Sequence, residues 1–172
     1  MLTTASQHAG LSIPELMRNH TQIQEAVGCS FVAINEDAFG AGGSEYDALC
    51  ITCGNTAAAL QTWKATGCDK EIRRLYDAGV PITGYSAGFV ALFEMASTDS
   101  PGIEKPRCCD FGLVEGLGIF RGTAVPHVDT QAARIPDLQV AMRIANPEVK
   151  KPILCLAEDT MVVMEDADGG GG

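Results

Sequence analysis

Nothing in this sequence of 172 residues offers phosphates a landing site. The formal net charge is −10, with 12 Lys and Arg against 22 Asp and Glu, and the basic residues form neither a stripe nor a cluster. Nucleic acid is excluded as a partner on that ground, because binding its backbone requires basic groups that displace counterions. Long apolar runs are missing as well. No stretch approaches the ~20 residues a membrane-spanning helix needs, so no membrane partner is expected. The opening Met1-Leu2-Thr3-Thr4-Ala5-Ser6-Gln7-His8 lacks the basic-then-apolar order of a secretory leader, and the expected location is cytoplasmic. There is no internal repeat. Histidine is scarce: His8, His20 and His127 are all there are, which narrows any acid–base chemistry sharply.

Cysteine is plentiful but unpatterned. The seven residues Cys29, Cys50, Cys53, Cys68, Cys108, Cys109 and Cys155 are odd in number and irregular in spacing. Cys50-Ile51-Thr52-Cys53 has the spacing of a redox pair or half a zinc site. No second pair matches it, and it lies along a strand pattern instead of opening a helix. A structural role is the better reading, with Cys50 and Cys155 as small buried hydrophobes in apolar runs.

What is there describes a compact globular domain. Hydrophobic residues make up 46% of the chain, charged residues 20%, and the mean hydropathy is +0.09, a balance that buries a core and argues against disorder. Short apolar, β-branched runs alternate with helical patterns. Strands are expected at Ser30–Ile34, Ala48–Thr52, Val80–Thr83, Pro152–Leu156 and Met161–Met164, with Gly112–Phe120 glycine-punctuated and Thr123–Val125 leading into Pro126-His127. Helices are expected from Ala57, over Asp69–Ala78 with Gly79 closing the second, and over Phe89–Met95. The run Phe39–Ser44 reads as a linker or mobile loop, the first ~40 residues as less regular, and Ser97–Asp110 as a loop. Strand–helix alternation predicts an α/β fold with a mostly parallel sheet covered by helices on both faces. Sites in such sheets lie at the carboxyl ends of strands. Three loops qualify: Cys53–Thr56, the loop around Ser86, and Pro126-His127.

Gly84-Tyr85-Ser86-Ala87-Gly88 carries the most chemistry. A serine between glycines at a strand-to-helix junction is the pattern of a nucleophile elbow, although glycine–serine pairs also occur in plain turns. Small neighbours let the backbone take strained dihedrals, and the Ala87 amide would sit at a helix N-terminus, able to stabilise an oxyanion. A serine hydroxyl needs a base oriented by a carboxylate. His8 and His20 lie in polar surroundings and read as solvated. His127 follows a β-rich run and a proline; it is either the base or a loop histidine bonded to its own turn. Glu158 and Asp159 follow the strand at Ile153–Leu156 and are either the orienting acid or a solvated pair. Gly54 is either a second oxyanion donor or a turn glycine.

Together, Gly54-Asn55-Thr56, Gly84–Gly88, Ser97-Thr98-Asp99-Ser100, Gly116-Leu117-Gly118 and Pro126-His127-Val128-Asp129 resemble the aspartyl dipeptidase (peptidase E) family, which includes the cyanophycinases. The order and spacing match from about Tyr46 to Met164. The resemblance implies a class I glutamine-amidotransferase-like α/β fold, a flavodoxin-like three-layer sandwich. It implies one hydrolytic domain over residues 1–168, shorter at its N-terminal end than in relatives, with a flexible glycine tail at 169–172. It also implies a serine peptidase acting on small peptides: Ser86 the nucleophile, His127 the base, Glu158 the orienting acid with Asp159 as the alternative, and Gly54 and Ala87 the oxyanion donors. Asn55, Gln131 and Arg134 are the implied substrate-binding positions. The arginine that aspartyl dipeptidases use for the substrate's acidic side chain falls near Gln131, with Arg134 the nearest arginine, so weaker discrimination for aspartate is expected. Such chemistry needs no metal or organic cofactor, and the family allows a homodimer. A related amide or isopeptide hydrolase, and a non-catalytic homologue that binds a ligand, are the competing readings.

Overall fold

The structure, a computed structural model, describes residues 1–10, 12, 32–34, 36–42, 45–101, 111–131, 133–136 and 152–164. Ser30, Phe31, His20, Gly43, Ser44 and the glycine tail at 169–172 lie outside them. The elements in chain order are α1 (Thr4–His8), α2 (Glu36–Gly40), β1 (Leu49–Ile51), α3 (Thr56–Thr66), α4 (Cys68–Asp77), β2 (Ile82–Gly84), α5 (Ala87–Val90), β3 (Phe93–Thr98), β4 (Gly112–Glu115), β5 (Phe120–Val125) and β6 (Ile153–Cys155).

The strands form a parallel pair, β1–β2, and a four-stranded sheet in the order β4-β3-β5-β6. Within the latter, β3–β5 and β5–β6 are parallel and β3–β4 is antiparallel. The fold is α/β, with one antiparallel strand beside an otherwise parallel set, a common variation. Leu2, fully buried, makes parallel bridges to both Ile34 and Ile51. Part of the irregular N-terminal stretch thus lies alongside β1.

Local chemistry accounts for the two long helices. Asn55 caps α3, its side chain accepting from the Ala58 amide at 3.0 Å, which satisfies one of the orphan donors of the first turn. Gly67, at φ 83°, ends α3 and starts α4 without a gap. Along α4, Cys68, Ile72 and Leu75 are buried at helical spacing while Lys70 and Arg74 are exposed, the stripe of a core-facing helix. Trp63 is buried, its indole N–H donating to Thr4 Oγ1 at 2.9 Å. The core gathers these side chains with Leu49, Ile51, Val90, Phe93, Ala96 and Ala124.

Four expectations are corrected. The run Phe89–Met95 is not a helix: α5 ends at Val90 and Phe93 starts β3, which pairs on both sides. A continuous apolar run does not itself distinguish helix from buried strand, and two-sided pairing decides. Met161–Met164 forms no strand; Met161 and Val163 are 84% and 70% exposed. Phe39 belongs to α2 and to the core, not to a linker, and Gly40 packs so closely on α3 that a β-carbon would lie 2.0 Å from the Thr66 carbonyl oxygen. Cys155, on the strand that ends the order among the described residues, is exposed and not buried, whereas Cys50 is buried as expected.

Candidate active site

Two parallel strand pairs bring their carboxyl ends to the site. β1 leads into Thr52-Cys53-Gly54 and β2 into Tyr85-Ser86, with Ile51 in register with Gly84. β5 leads into Pro126-His127 and β6 into Leu156-Ala157-Glu158, with Val125 in register with Cys155. Register therefore sets the reach between loops: two adjacent strands ending level deliver His127 and Glu158 side by side.

Ser86 stands at φ 50° and ψ −118°, between the end of β2 and the first turn of α5. Two residues to either side, only glycine fits. A β-carbon on Gly84 would lie 2.6 Å from the Gly88 carbonyl, and one on Gly88 would lie 2.3 Å from the Ile51 carbonyl oxygen. The turn is thus pressed against the end of β1, and the Tyr85 amide donates to the Ile51 carbonyl at 3.3 Å. Among the described residues, the non-glycine positions with positive φ are Ser86, His127 and Asp159. All three line one cavity. Each such conformation costs on the order of 1–3 kcal/mol and persists only where its surroundings enforce it.

The side chains form a chain of hydrogen bonds. Ser86 Oγ lies 3.0 Å from His127 Nε2, and His127 Nδ1 lies 2.7 Å from Glu158 Oε1. A carboxylate can only accept, so the imidazole proton sits on Nδ1, and Nε2 is left to accept from the serine hydroxyl. His127 is 22% exposed and Glu158 46% exposed. Glu158 is held from two further directions. Thr130 Oγ1 donates to the same Oε1 at 3.2 Å, and the Glu158 amide donates to Asp129 Oδ1 at 3.0 Å. That last bond holds the Asp129 carboxyl below its ordinary value. The loop itself is closed by Gln131 N–H to the His127 carbonyl at 2.8 Å and tied to β6 by Val128 N–H to the Leu156 carbonyl at 3.1 Å.

The remaining sequence-predicted positions fall as follows. Ala87 opens α5 and is buried. Gly54, at φ 130°, follows the end of β1, the strand against which Gly88 packs. Asp159 lines the cavity beside Glu158. Asn55 is buried and engaged in capping α3. Arg134 is 2% exposed; its guanidinium donates to the Ser97 carbonyl at 3.1 Å and to Gln131, lies 3.5 Å from Asp99, and stacks 4.5 Å over the Phe111 ring. Burial lowers its pKa, with Asp99 opposing. Asn55, Gln131 and Arg134 thus lie outside the lining of the cavity that holds Ser86.

Asp129 and Thr130 went unassigned at the sequence level. Asp129 stands in the sequence only as the end of the Pro126–Asp129 motif and Thr130 only by nearness to His127, because their partner lies 29 and 28 residues away. Among the described residues, no group of three or more His, Cys, Asp or Glu is arranged to hold a metal ion, and no helix is long and apolar enough to cross a membrane.

Known proteins resemble this chain over most of its length. The model of peptidase family S51 matches residues 17–169. The uncharacterized peptidase YgaJ of Bacillus subtilis (strain 168) is 34% identical over 92 residues, 54% of this chain and 37% of YgaJ. The chain therefore spans well under half the length of that curated relative. A crystal structure from Listeria monocytogenes EGD-e, named for peptidase E, superposes with a TM-score of 0.56 at 19% identity, covering 83% of this chain and 72% of its own. At that identity the likeness establishes the α/β fold.

Proposed function

This chain belongs to peptidase family S51, the peptidase E family of serine peptidases, and on that footing we propose that it hydrolyses small peptides through Ser86, His127 and Glu158. The observation that carries this reading is the unbroken chain from Ser86 Oγ through His127 to Glu158, at 3.0 Å and 2.7 Å. A neutral imidazole with its proton on Nδ1 is the form able to take the serine proton.

In this reading Ser86 Oγ attacks the peptide carbonyl as His127 Nε2 removes its proton. Glu158 stabilises the imidazolium that forms. The carbonyl oxygen becomes an oxyanion, for which the Gly54 and Ala87 amides are the donors at hand. Ala87 N–H belongs to the first turn of α5, where amides lack intrahelical partners. The imidazolium then protonates the leaving amine, and water hydrolyses the acyl-enzyme by the same route in reverse.

The test is steady-state hydrolysis of a dipeptide panel by the unmodified chain and by Ser86→Ala. Turnover by the former and a loss of about 10³-fold or more in the latter is expected. Equal rates would remove Ser86 from the mechanism.

A further inference from the structure

Arg134 is 2% exposed, and taking a guanidinium out of water is costly unless its donors and its face find partners. Here they do. Nε donates to Gln131 Oε1, and Nη1 donates to the Ser97 carbonyl at 3.1 Å and lies 3.4 Å from Ser97 Oγ. Nη2 stands 3.5 Å from Asp99 Oδ2, and the guanidinium carbon lies 4.5 Å over the Phe111 ring. Ser97 belongs to β3, which runs parallel beside β5 with Ala96 in register with Ala124. Asp99 and His127 therefore stand equally far beyond that pair, at the same end of the sheet.

The chain between His127 and Arg134 is linked turn by turn. The Gln131 amide donates to the His127 carbonyl at 2.8 Å, and the Arg134 amide donates to the Gln131 carbonyl at 2.9 Å. Gln131 thus holds His127 with its backbone while its own side chain is held by Arg134. On the other flank, Val128 N–H donates to the Leu156 carbonyl at 3.1 Å. The His127 loop is clamped from two sides, at the exit of β6 by Val128 and on β3 by Arg134. The clamp matters because His127 stands at φ 56°, a conformation that persists only where its surroundings enforce it. Its ring must also stay 3.0 Å from Ser86 Oγ, and a misplacement of about 1 Å at a reacting group can cost about a hundredfold in rate. Neither Arg134 nor Gln131 lines the Ser86 cavity.

We propose that Arg134 is a positioning residue: acting through the Gln131 side chain, it sets the loop that holds His127 Nε2 against Ser86, and it serves turnover instead of substrate affinity. This rests on the serine-peptidase reading above.

Arg134→Met, Arg134→Lys, Gln131→Leu and Gln131→Glu in the full chain test it, with kcat and KM measured on aspartyl-leucine and leucyl-leucine. Arg134→Met and Gln131→Leu should lower kcat about tenfold or more on both peptides, with KM within about twofold. Gln131→Glu keeps an acceptor for Nε and should restore most of the rate, whereas Arg134→Lys, lacking the planar fork, should not. The His127 Nδ1 proton, identified in 1H–15N spectra by its loss in His127→Ala, should be broadened or shifted in Arg134→Met and Gln131→Leu and kept in Gln131→Glu. Should Arg134→Met not fold, the Gln131 pair carries the test. A rise in KM for aspartyl-leucine alone, with kcat intact, would make Arg134 a substrate contact and overturn the proposal. Unchanged kcat with an unchanged imidazole resonance in folded Gln131→Leu would overturn it too. A disturbed resonance in the variants, with no hydrolysis of either peptide by the unmodified chain, would overturn the peptidase reading and leave the clamp standing.

Discussion

Glu158 is nearly half exposed, so its orientation depends on the bonds it makes and not on packing. His127, Thr130 and Asp129 supply those bonds from a single four-residue stretch. Glu158→Gln should reduce kcat by about 10²–10⁴-fold, since an amide can hold the ring but cannot stabilise the imidazolium. Asp159→Asn should stay within about twofold, lacking that position in the hydrogen-bond chain. The reverse ranking in steady-state kinetics would move the role to Asp159. Thr130→Val removes a donor to Glu158 Oε1, and water compensates in part, so a fall in kcat of about three- to tenfold is expected with KM little changed. Thr130→Ser should restore it. Asp129 adds a pH dependence of definite sign. Its folded pKa lies below the ordinary 3.8 because the Glu158 amide bonds the charged form. The stability it lends to the loop is therefore present above that value and is lost as pH falls through the lowered one. Acid titration of loop stability, by amide exchange at Glu158, should show this loss in the unmodified chain and not in Asp129→Ala.

At the scale of elements, the tight turn around Ser86 is the feature most legible in the sequence and most constrained in space. Gly84 and Gly88 flank a serine just past an apolar run, and the contacts a β-carbon would make with Gly88 and Ile51 backbone explain why both are glycine. Gly88→Ala should cost at least about 2 kcal/mol, since backbone must move to admit the methyl group. Gly79→Ala meets no atoms within 4 Å and should cost about 1–2 kcal/mol, from its positive φ alone. Urea denaturation of the two variants checks the order. Where the sequence misled, long-range pairing was responsible. Phe89–Met95 reads as a helix by composition, yet Phe93 onward is claimed by β4 on one side and β5 on the other. Met161–Met164 has strand composition without a strand beside it among the described residues. The positions of Ser86, His127 and Glu158 were legible because each follows an apolar strand by two or three residues. The partnership of Asp129 and Thr130 with Glu158 was not, because it exists only through the β5–β6 register. The cavity was hidden likewise, its lining being assembled from segments spread between Ile82 and Met164.

Across the whole molecule, the site joins loops from Gly54 to Glu158, and every pair of strands beneath it is non-local in sequence. The α/β scaffold that does this is shared with a structure only 19% identical, which is the expected behaviour of a fold whose function lies in residues placed on it. What distinguishes a reactive serine from a serine in a tight turn is its hydrogen-bond chain, and that is open to direct chemical test. A fluorophosphonate reacts with a serine only when a base and oxyanion donors activate it. Labelling of the full chain, mapped by mass spectrometry, is the measurement closest to the central claim. Stoichiometric modification of Ser86, abolished by His127→Ala and strongly slowed by Glu158→Gln, is the expected result. An unmodified Ser86 in the folded chain, or labelling that persists without His127, would contradict it.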